Sequence, residues 1–243
     1  MNVGVFLFST PCAAHPADVA RKAESLGFES LWMGEHPIIP IQKTTPYPLT
    51  DDGRIPDFYS NLADPWIGLA SAAAVTRTHK LGTGVCLVTE RNPILLAKEI
   101  ATPDHLSEGR VVLGDGTGWL KEDVESLGSH FSRRWLRLRE SIEAIRELWT
   151  KEEAEYHGRV IDFPAVRCIP QPAQKRYPPV LLGSHGEKGL QRVARWAEGW
   201  CPLAHGPAVL RKNLKMLKHL MEEARCAQIS SNSMEMLGRS VSF

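Results

Sequence analysis

Short apolar runs alternate with segments of helical spacing along most of the chain, and this alternation restricts the fold more than any other feature. The apolar runs include "VGVFLF", "ESLWM", "RVVLG" and "PPVLLG". Continuous apolar runs of this length are typical of strands buried on both faces of a parallel sheet. Strand–helix alternation without a linker therefore indicates an α/β fold, either a doubly wound sheet or a (β/α)8 barrel. We favour the barrel because loops of functional character follow most strands and no G-x-G-x-x-G dinucleotide fingerprint is present.

Capping residues mark where several of the helices begin and end. Asp64 before Pro65 and Asn92 before Pro93 each place an N-cap side chain ahead of a proline at the first helical position. "RRWLRLRESIEAIRELW" has a strong amphipathic pattern and predicts a further helix. Because proline cannot donate a backbone hydrogen bond, we expect Pro103 to break or restart the helix that begins after Asn92.

The C-terminal part of the sequence carries fewer βα units than a complete barrel needs. Residues 155–178 predict an irregular or hairpin-like excursion, and "GWCPL" predicts a sixth strand. A helix is expected over residues 206–225, and "SMEML" at residues 233–237 predicts a seventh strand. We therefore predict a single barrel domain over residues 1–243, with no eighth βα unit evident after about residue 225.

Charge and composition favour a protein that handles small molecules. The chain has 29 basic and 28 acidic residues, a balance that predicts neither a nucleic-acid surface nor a polybasic membrane patch. Its first residues, "MNVGVFLFST", are too few to span a membrane and lack a signal peptide's charged region. The five cysteines are scattered without a C-x-x-C pair, which argues against a metal site and for a reducing compartment. We expect a cytoplasmic location.

Three glycines stand at alternate positions in "LGDGTGW", namely Gly114, Gly116 and Gly118. The spacing matches neither the dinucleotide fingerprint nor a phosphate-binding loop with its Lys–Ser or Lys–Thr pair. Bare backbone at a strand end allows something flat or bulky to approach it, but it also allows close packing against a neighbouring loop. The spacing alone leaves both interpretations open.

Three long stretches of the chain resemble the luciferase-like monooxygenases, and within them the oxidoreductases that use the deazaflavin coenzyme F420. They are "ESLWMGEHPIIP", "LGTGVCLVTERNPILLAKEIATPDHLSEGRVVLGDGTGWLKEDVESLG" and "PPVLLGSHGEKGLQRVARWAEGWCP". The resemblance extends from Val3 to about Cys201. It implies a (β/α)8 barrel, a flavin or deazaflavin across the C-terminal ends of the strands, and a homodimer. The expected cofactor is F420, with FMN as the alternative.

The same resemblance assigns catalytic residues to the end of the second strand. It makes His36 the catalytic or cofactor-facing residue, able to donate to a flavin carbonyl or to move a proton to a substrate oxygen. Glu35 is the expected acidic companion that could orient the imidazole, although neighbouring residues on a strand point to opposite faces.

The resemblance also assigns residues to the cofactor. A non-prolyl cis peptide is expected at Gly84–Val85, in a strand that supports the ring system. The alternating glycines become a wall beside the cofactor, and a later strand–loop–helix unit is expected to bind its phosphate at a helix N-terminus. The expected cofactor-binding residues are Thr83, Gly84, Val85, Gly114, Gly116, Gly118, Gly183, Ser184, His185, Gly186 and Lys188.

Two positions depart from the pattern of the family. Asp115 stands where a small or apolar residue is usual, and Trp119 stands where some deazaflavin enzymes carry an acidic proton donor. The resemblance implies hydride transfer between F420 and a small organic substrate. The loop from Gly34 to Asp64 is unusually long for a compact domain, and we expect it to form a lid over the site. The alternatives are an FMN-dependent monooxygenase of the same superfamily and a degenerate, non-catalytic barrel.

Overall fold

A computed structural model of the chain describes residues 3–202 and 206–239. The chain divides into two compact units, Met1–Val180 and Leu181–Phe243. The first unit contains most of the predicted βα repeats. Its elements are β1 Gly4–Leu7, α1 Pro16–Ser25, β2 Ser30–Met33, α2 Pro65–Ala73, β3 Lys80–Thr83, β4 Cys86–Leu87, α3 Pro93–Leu106, β5 Val111–Gly116, α4 Lys121–Ser126, α5 Arg134–Thr150, β6 Ala154–His157 and β7 Asp162–Val166.

The strands of the first unit form the predicted parallel sheet. Its order is β1, β2, β3 and β5, and the two-residue strand β4 also pairs with β5. The register aligns Leu31 with Leu81 and Leu81 with Val111, and these side chains are fully or almost fully buried. Because all these strands are parallel, their carboxyl ends lie along one edge, where loops of an α/β fold gather their functional residues.

Strand β1 differs from its prediction as a strand buried on both faces. It pairs with β2, and its residues are half-buried or exposed. Phe6 is 48% exposed because, within this unit, β1 occupies the edge of the sheet.

The predicted caps are present at α2 and α3. The Asp64 carboxylate accepts hydrogen bonds from the backbone N–H groups of Trp66 and Ile67, at 2.9 and 3.1 Å. Asn92 caps α3 in the same way. Each cap satisfies amides that have no partner inside the helix, which is why the sequence marks these starts so clearly.

The prediction that Pro103 breaks its helix is wrong, because α3 continues without interruption to Leu106. Proline in a helix interior costs about 3 kcal/mol, so other contacts must offset it. Ile100 is fully buried on one side of Pro103, and Asp104 is fully buried on the other. The Asp104 carboxylate accepts from the backbone N–H of Val111 and from Gln174. These tertiary contacts hold the last turn in helical form.

The excursion expected over residues 155–178 contains an antiparallel hairpin formed by β6 and β7. Its turn is organised by Glu140 on α5, whose carboxylate accepts from three consecutive backbone N–H groups. The donors are Arg159, Val160 and Ile161, at 2.8 to 3.0 Å.

The second unit contains a strand–helix–strand–helix sequence. Its elements are β8 Val180–Gly183, whose first residue ends the first unit, α6 Gly186–Trp196, β9 Gly199–Cys201 and α7 Pro207–Arg239. Strands β8 and β9 are parallel, with Leu182 aligned to Trp200. Among the residues that the structure describes, no helix is long and apolar enough to cross a membrane.

The predicted seventh strand at residues 233–237 is wrong, because these residues continue helix α7. No proline or glycine occurs after Pro207 until Gly238. Met, Glu and Leu, which make up most of "SMEML", are also good helix formers. The helix therefore has no signal to stop before this segment.

Candidate functional site

The candidate site of the first unit is built where β2, β4 and β5 end. His36 follows β2 by a short step, Glu90 lies in the turn after β4, and Trp119 follows β5. Asp123 is carried by the short helix α4. Because the strands are parallel, residues far apart in sequence meet at this edge.

The imidazole of His36 is held between two side chains. Its Nδ1 lies 3.1 Å from Oδ2 of Asp123, and the indole Nε1–H of Trp119 donates to its Nε2 at 3.0 Å. An indole nitrogen can only donate, so Nε2 must be the acceptor and Nδ1 must carry the hydrogen. His36 is therefore a neutral imidazole in the Nδ1–H tautomer, and this hydrogen is donated to a fully buried carboxylate.

The carboxylate that orients His36 is Asp123, and Glu35 does not have this role. One oxygen of Glu35 accepts from the backbone N–H of Leu87 at 2.7 Å, and the other binds the guanidinium of Arg91. The same guanidinium also binds Asp64. Glu35 thus links the end of β2 directly to β4. Through Arg91 it is also linked to Asp64, the residue that precedes α2. These contacts explain its burial without contact with the imidazole.

The loop from Gly34 to Asp64 brings two tyrosines to the imidazole. The ring of Tyr59 meets His36 edge-on with centroids 5.2 Å apart, and Tyr47 meets Trp119 in the same way at 5.2 Å. The two tyrosine hydroxyls lie 2.6 Å from each other. Burial and the neighbouring Tyr47 hydroxyl raise the pKa of Tyr59, so the phenol of Tyr59 is neutral at physiological pH. Two aromatic rings, those of Tyr59 and Trp119, thus contact His36, and Tyr47 packs against both of them.

Helix α4 fastens this loop. Oε1 of Glu122 accepts from the backbone N–H and the hydroxyl of Thr44, at 2.7 and 2.9 Å, and from the backbone N–H of Thr45 at 3.2 Å. These hydrogen bonds stabilise the ionised carboxylate, with those from Thr44 the largest contribution, and lower the pKa of Glu122 to about 2. The predicted lid is therefore held against α4 at any pH near neutrality.

The peptide bond between Gly84 and Val85 is cis, as predicted. It separates β3 from β4, so the strand that was expected to support the ring system is divided into two short ones. Thr83, just before it, donates from its hydroxyl to the carbonyl of Gly114 at 2.7 Å. The predicted cofactor-binding residues Thr83, Gly84 and Val85 are thus placed beside β5.

The bare glycines of this edge make room for side chains of the protein itself. A Cβ atom built at Gly84 would stand 2.7 Å from the ring of Phe6, and one at Gly116 would stand 2.6 Å from Cγ2 of Val85. Gly118 has a φ of +73°, which favours glycine, and a Cβ there would stand 2.5 Å from Oε1 of Glu90.

The three glycines differ in their placement relative to the strand end. Gly114 and Gly116 lie inside β5, on either side of the fully buried Asp115, and Gly118 lies beyond the strand. Packing within the protein is sufficient to favour glycine at positions 116 and 118.

Glu90 is a buried acid that the sequence patterns did not single out. It is 8% exposed, and neither of its carboxyl oxygens has a hydrogen-bond partner among the described residues. Burial, followed by the charges of Asp123 and Glu35, raises its pKa from 4.5 to about 9. The signal that could have found it is a glutamate within the otherwise apolar strand end "VCLVTE".

The predicted phosphate loop lies in the second unit. Gly183 ends β8, and the indole of Trp200 donates to the carbonyl of Ser184 at 2.9 Å. The Ser184 hydroxyl is buried and has no hydrogen-bond partner among the described residues. His185 precedes α6 without a side-chain cap, and a Cβ built at Gly186 meets no atom within 4 Å.

Lys188 is exposed in the first turn of α6. This loop has features suited to an anion: uncapped helix amides, an unused hydroxyl, open space and a nearby cation. Within the described ranges, no cluster of three or more His, Cys, Asp or Glu side chains is arranged to hold a metal ion.

Comparison with known proteins identifies relatives over most of the chain. A 202-residue segment is 44% identical to the uncharacterized protein Rv0953c of Mycobacterium tuberculosis, covering 82% of this chain and 71% of that protein. A 187-residue segment is 30% identical to the F420-dependent glucose-6-phosphate dehydrogenase of Amycolatopsis mediterranei, covering 75% of this chain and 51% of that enzyme.

Solved structures share the fold. The monooxygenase RslO1 from Streptomyces bottropensis matches with a TM-score of 0.74 and 25% identity, over 92% of this chain and 67% of that one. An F420-dependent secondary alcohol dehydrogenase bound to an F420–acetone adduct matches with a TM-score of 0.71 and 20% identity, over 92% and 64%. The FMN-bound oxygenating constituent of 3,6-diketocamphane monooxygenase from Pseudomonas putida has a TM-score of 0.72 and 18% identity, over 92% and 63%.

These neighbours confirm the predicted fold class, an α/β fold of the barrel type found in luciferase-like proteins. The family described as luciferase-like monooxygenase matches residues 1–234, which is nearly the whole chain. The relatives and structural neighbours include F420-dependent dehydrogenases and an FMN-bound monooxygenase. The chain therefore belongs to the luciferase-like monooxygenase family and is an oxidoreductase of that family.

Proposed function

We propose that the protein is an F420-dependent oxidoreductase that transfers hydride between the deazaflavin and a small organic alcohol or carbonyl compound. The observation that carries this proposal is the hydrogen-bonding state of His36. Its Nδ1–H is donated to Asp123, so Nε2 is the basic atom. Oxidation of an alcohol needs a base for the hydroxyl proton while hydride leaves the carbon, and a neutral imidazole backed by a carboxylate suits that task.

The residues around His36 perform the proton step. A substrate hydroxyl would replace the indole N–H of Trp119 as donor to Nε2, and the proton would then pass to Nε2. Asp123, buried and already bound to Nδ1–H, would stabilise the resulting imidazolium. Tyr59 and Trp119 would exclude water from the reacting atoms. In the reverse direction, the imidazolium returns the proton to the substrate oxygen.

The cofactor residues fit a phosphate-bearing coenzyme. When bound, the deazaflavin supplies the hydride acceptor or donor. In the first unit, the cis Gly84–Val85 bond and Thr83, Gly114, Gly116 and Gly118 would lie beside the ring system. In the second unit, we propose that the loop at Gly183, Ser184, His185, Gly186 and Lys188 binds phosphate, supported by the unused buried hydroxyl and the open space at Gly186.

A second candidate is an FMN-dependent monooxygenase. The similarity to RslO1 at 25% identity supports it. With reduced FMN the chemistry would be activation of oxygen and hydroxylation of the substrate. Homodimerisation and a cytoplasmic location stay predictions that follow from the family resemblance and the composition.

The test is a binding titration followed by a turnover assay. The purified protein is titrated with F420 and, separately, with FMN, and quenching of its seven tryptophans is recorded. Saturable quenching by F420, followed by its reduction with a secondary alcohol, is the expected result. Saturable binding of FMN alone would refute the hydride proposal and favour the monooxygenase. A folded protein that binds neither would favour the degenerate barrel.

A matched pair of variants tests the role of His36. His36→Gln should retain F420 binding and lower kcat by 10²–10⁴-fold, roughly the range for loss of a general base. His157→Gln is the control, because His157 also pairs with an aspartate but stands exposed on the hairpin, 2.7 Å from Asp162. Equal activities of the two variants would contradict the proposed role.

A further inference from the structure

Three buried carboxyl groups, those of Glu90, Asp123 and Glu35, form an acidic cluster behind His36. The proposed mechanism does not use Glu90. We propose that Glu90 holds a proton beside Asp123, so that Asp123 is the only anion presented to His36. Glu90 is thus a positioning residue that sets the charge state of the base. Its effect on the reaction rests on the proposed function, but the protonation itself does not.

The position of Glu90 places it next to the segment that carries Asp123. Oε1 of Glu90 and Cγ2 of Val124 both lie against Gly118, at 2.5 and 3.0 Å from the point where a Cβ atom would stand. Val124 is the residue after Asp123 on α4. The absent side chain at Gly118 therefore creates the space that the Glu90 carboxyl fills.

The three carboxyl groups of this cluster cannot all be ionised at the same time. The groups that act on Glu90 are Asp123 from α4, Glu35 from the end of β2, and Arg91, its own neighbour. Arg91 is the one cation among them, and it is already bound by Glu35, Asp64 and Glu99. Arg137 of α5, which packs against the same turn, donates to the backbone carbonyl of Thr89. Buried carboxylates close to one another cannot all ionise, so the least supported one retains its proton.

The hydrogen bonds of the three carboxyl groups identify the one that retains its proton. Asp123 receives Nδ1–H of His36, and Glu35 receives the backbone N–H of Leu87 as well as Arg91. Each of these donors favours an ionised carboxylate. The carboxyl group of Glu90 receives no hydrogen bond from the described residues, so no hydrogen bond offsets its burial.

The protonation of Glu90 also bears on an oxygen of Asp123 that lacks a hydrogen-bond donor. Oδ1 of Asp123 is buried and has no hydrogen-bond partner among the residues described by the structure. A carboxylic acid is a donor as well as an acceptor, so a protonated Glu90 would bring a hydrogen-bond donor into the cluster that contains this oxygen. Loss of the proton would leave two buried anions behind His36 and would hold the imidazolium more tightly after it has taken the substrate proton.

The test uses infrared spectroscopy of the protein labelled with ¹³C in the glutamate carboxyl groups, without cofactor or substrate. The wild type should show a protonated glutamate band at pH 7 that disappears as the pH passes about 9. Glu90→Gln should lack the band, and Glu99→Gln should keep it, because Glu99 is an exposed partner of Arg91. No such band in the wild type, or its persistence in Glu90→Gln, would overturn the proposal.

The variant Asp123→Asn distinguishes the effect of the Asp123 charge on the pKa of Glu90 from the effect of burial. Removing the Asp123 charge should lower the midpoint of the Glu90 band by about one pH unit, since coupled carboxyl groups titrate as a pair. This measurement also serves if Glu90→Gln fails to fold. An unchanged midpoint would show that Glu90 does not sense Asp123, and would refute the pairing.

The pH profile of turnover tests the catalytic consequence. Glu90→Gln cannot ionise, so its kcat should lack the decline that the wild type shows above about pH 9. A decline shared by both proteins would refute the positioning role. If neither protein turns over F420, the proposed function fails, whereas the infrared result still decides the protonation of Glu90.

Discussion

Replacing Glu90 with glutamine should change how the stability of the protein depends on pH. The native pKa of Glu90 is raised to about 9 from an ordinary value of 4.5. Between these two values the native state holds a proton that the unfolded chain releases. The free energy of unfolding must therefore fall as the pH rises through this window, by about 1.4 kcal/mol per pH unit. Glutamine does not titrate, so the variant lacks this fall.

The expected change in the free energy of unfolding follows for a range of pH in which urea denaturation is practical. From pH 6 to pH 8 the Glu90 contribution should decrease by about 2–3 kcal/mol, because both values lie between the unfolded and the native pKa. Other titrating groups, histidines included, are present in both proteins and cancel in the difference. The stability of Glu90→Gln relative to the wild type should thus increase by this amount over the two units.

Urea denaturation at pH 6, 7 and 8, at constant ionic strength, measures this difference. Glu99→Gln is the matched control, since it removes a carboxylate that is paired with Arg91 at 3.0 Å and partly exposed. Its stability should follow the wild type in parallel. A Glu90→Gln curve that also runs parallel to the wild type would show that Glu90 is ionised in the native protein, and would refute the reasoning.

Three further changes have defined outcomes. Trp119→Phe removes the donor to His36 Nε2 but keeps an aromatic ring, so urea denaturation should show a loss of about 1 kcal/mol; no loss would contradict this hydrogen bond. Glu122→Gln should speed proteolytic cleavage within residues 40–50 several-fold, whereas Glu125→Gln, an exposed neighbour on α4, should not. Gly116→Ala should cost about 1–3 kcal/mol because its Cβ would meet Val85, and adding Val85→Ala should restore part of that loss.

The parts of the fold that sequence reasoning predicted are those with a local cause. Asp64 and Asn92 mark helix starts because their side chains bond amides two and three residues away. The cis bond at Gly84–Val85 came from the family resemblance, and the structure confirms it.

The parts that were missed depend on contacts between distant segments. Asp123 orients His36 across 87 positions of sequence, so adjacency pointed to Glu35 instead. The helix continues through Pro103 because Asp104 is bound by Val111 and Gln174, which no local pattern reveals. The unusual state of Glu90 likewise depends on charges from two other segments.

The guanidinium of Arg91 binds both ends of the loop over His36. It contacts Glu35, the second residue of that loop, and Asp64, its last. One side chain outside the loop thus fixes both anchor points, and the loop is a closed excursion whose two ends are held together. Its interior can then change in length or sequence while its anchors, and the strands beneath them, stay in register. Variation in access to His36 among relatives should therefore be concentrated between these two anchors, with Arg91 kept as arginine because a lysine cannot reproduce its several donors.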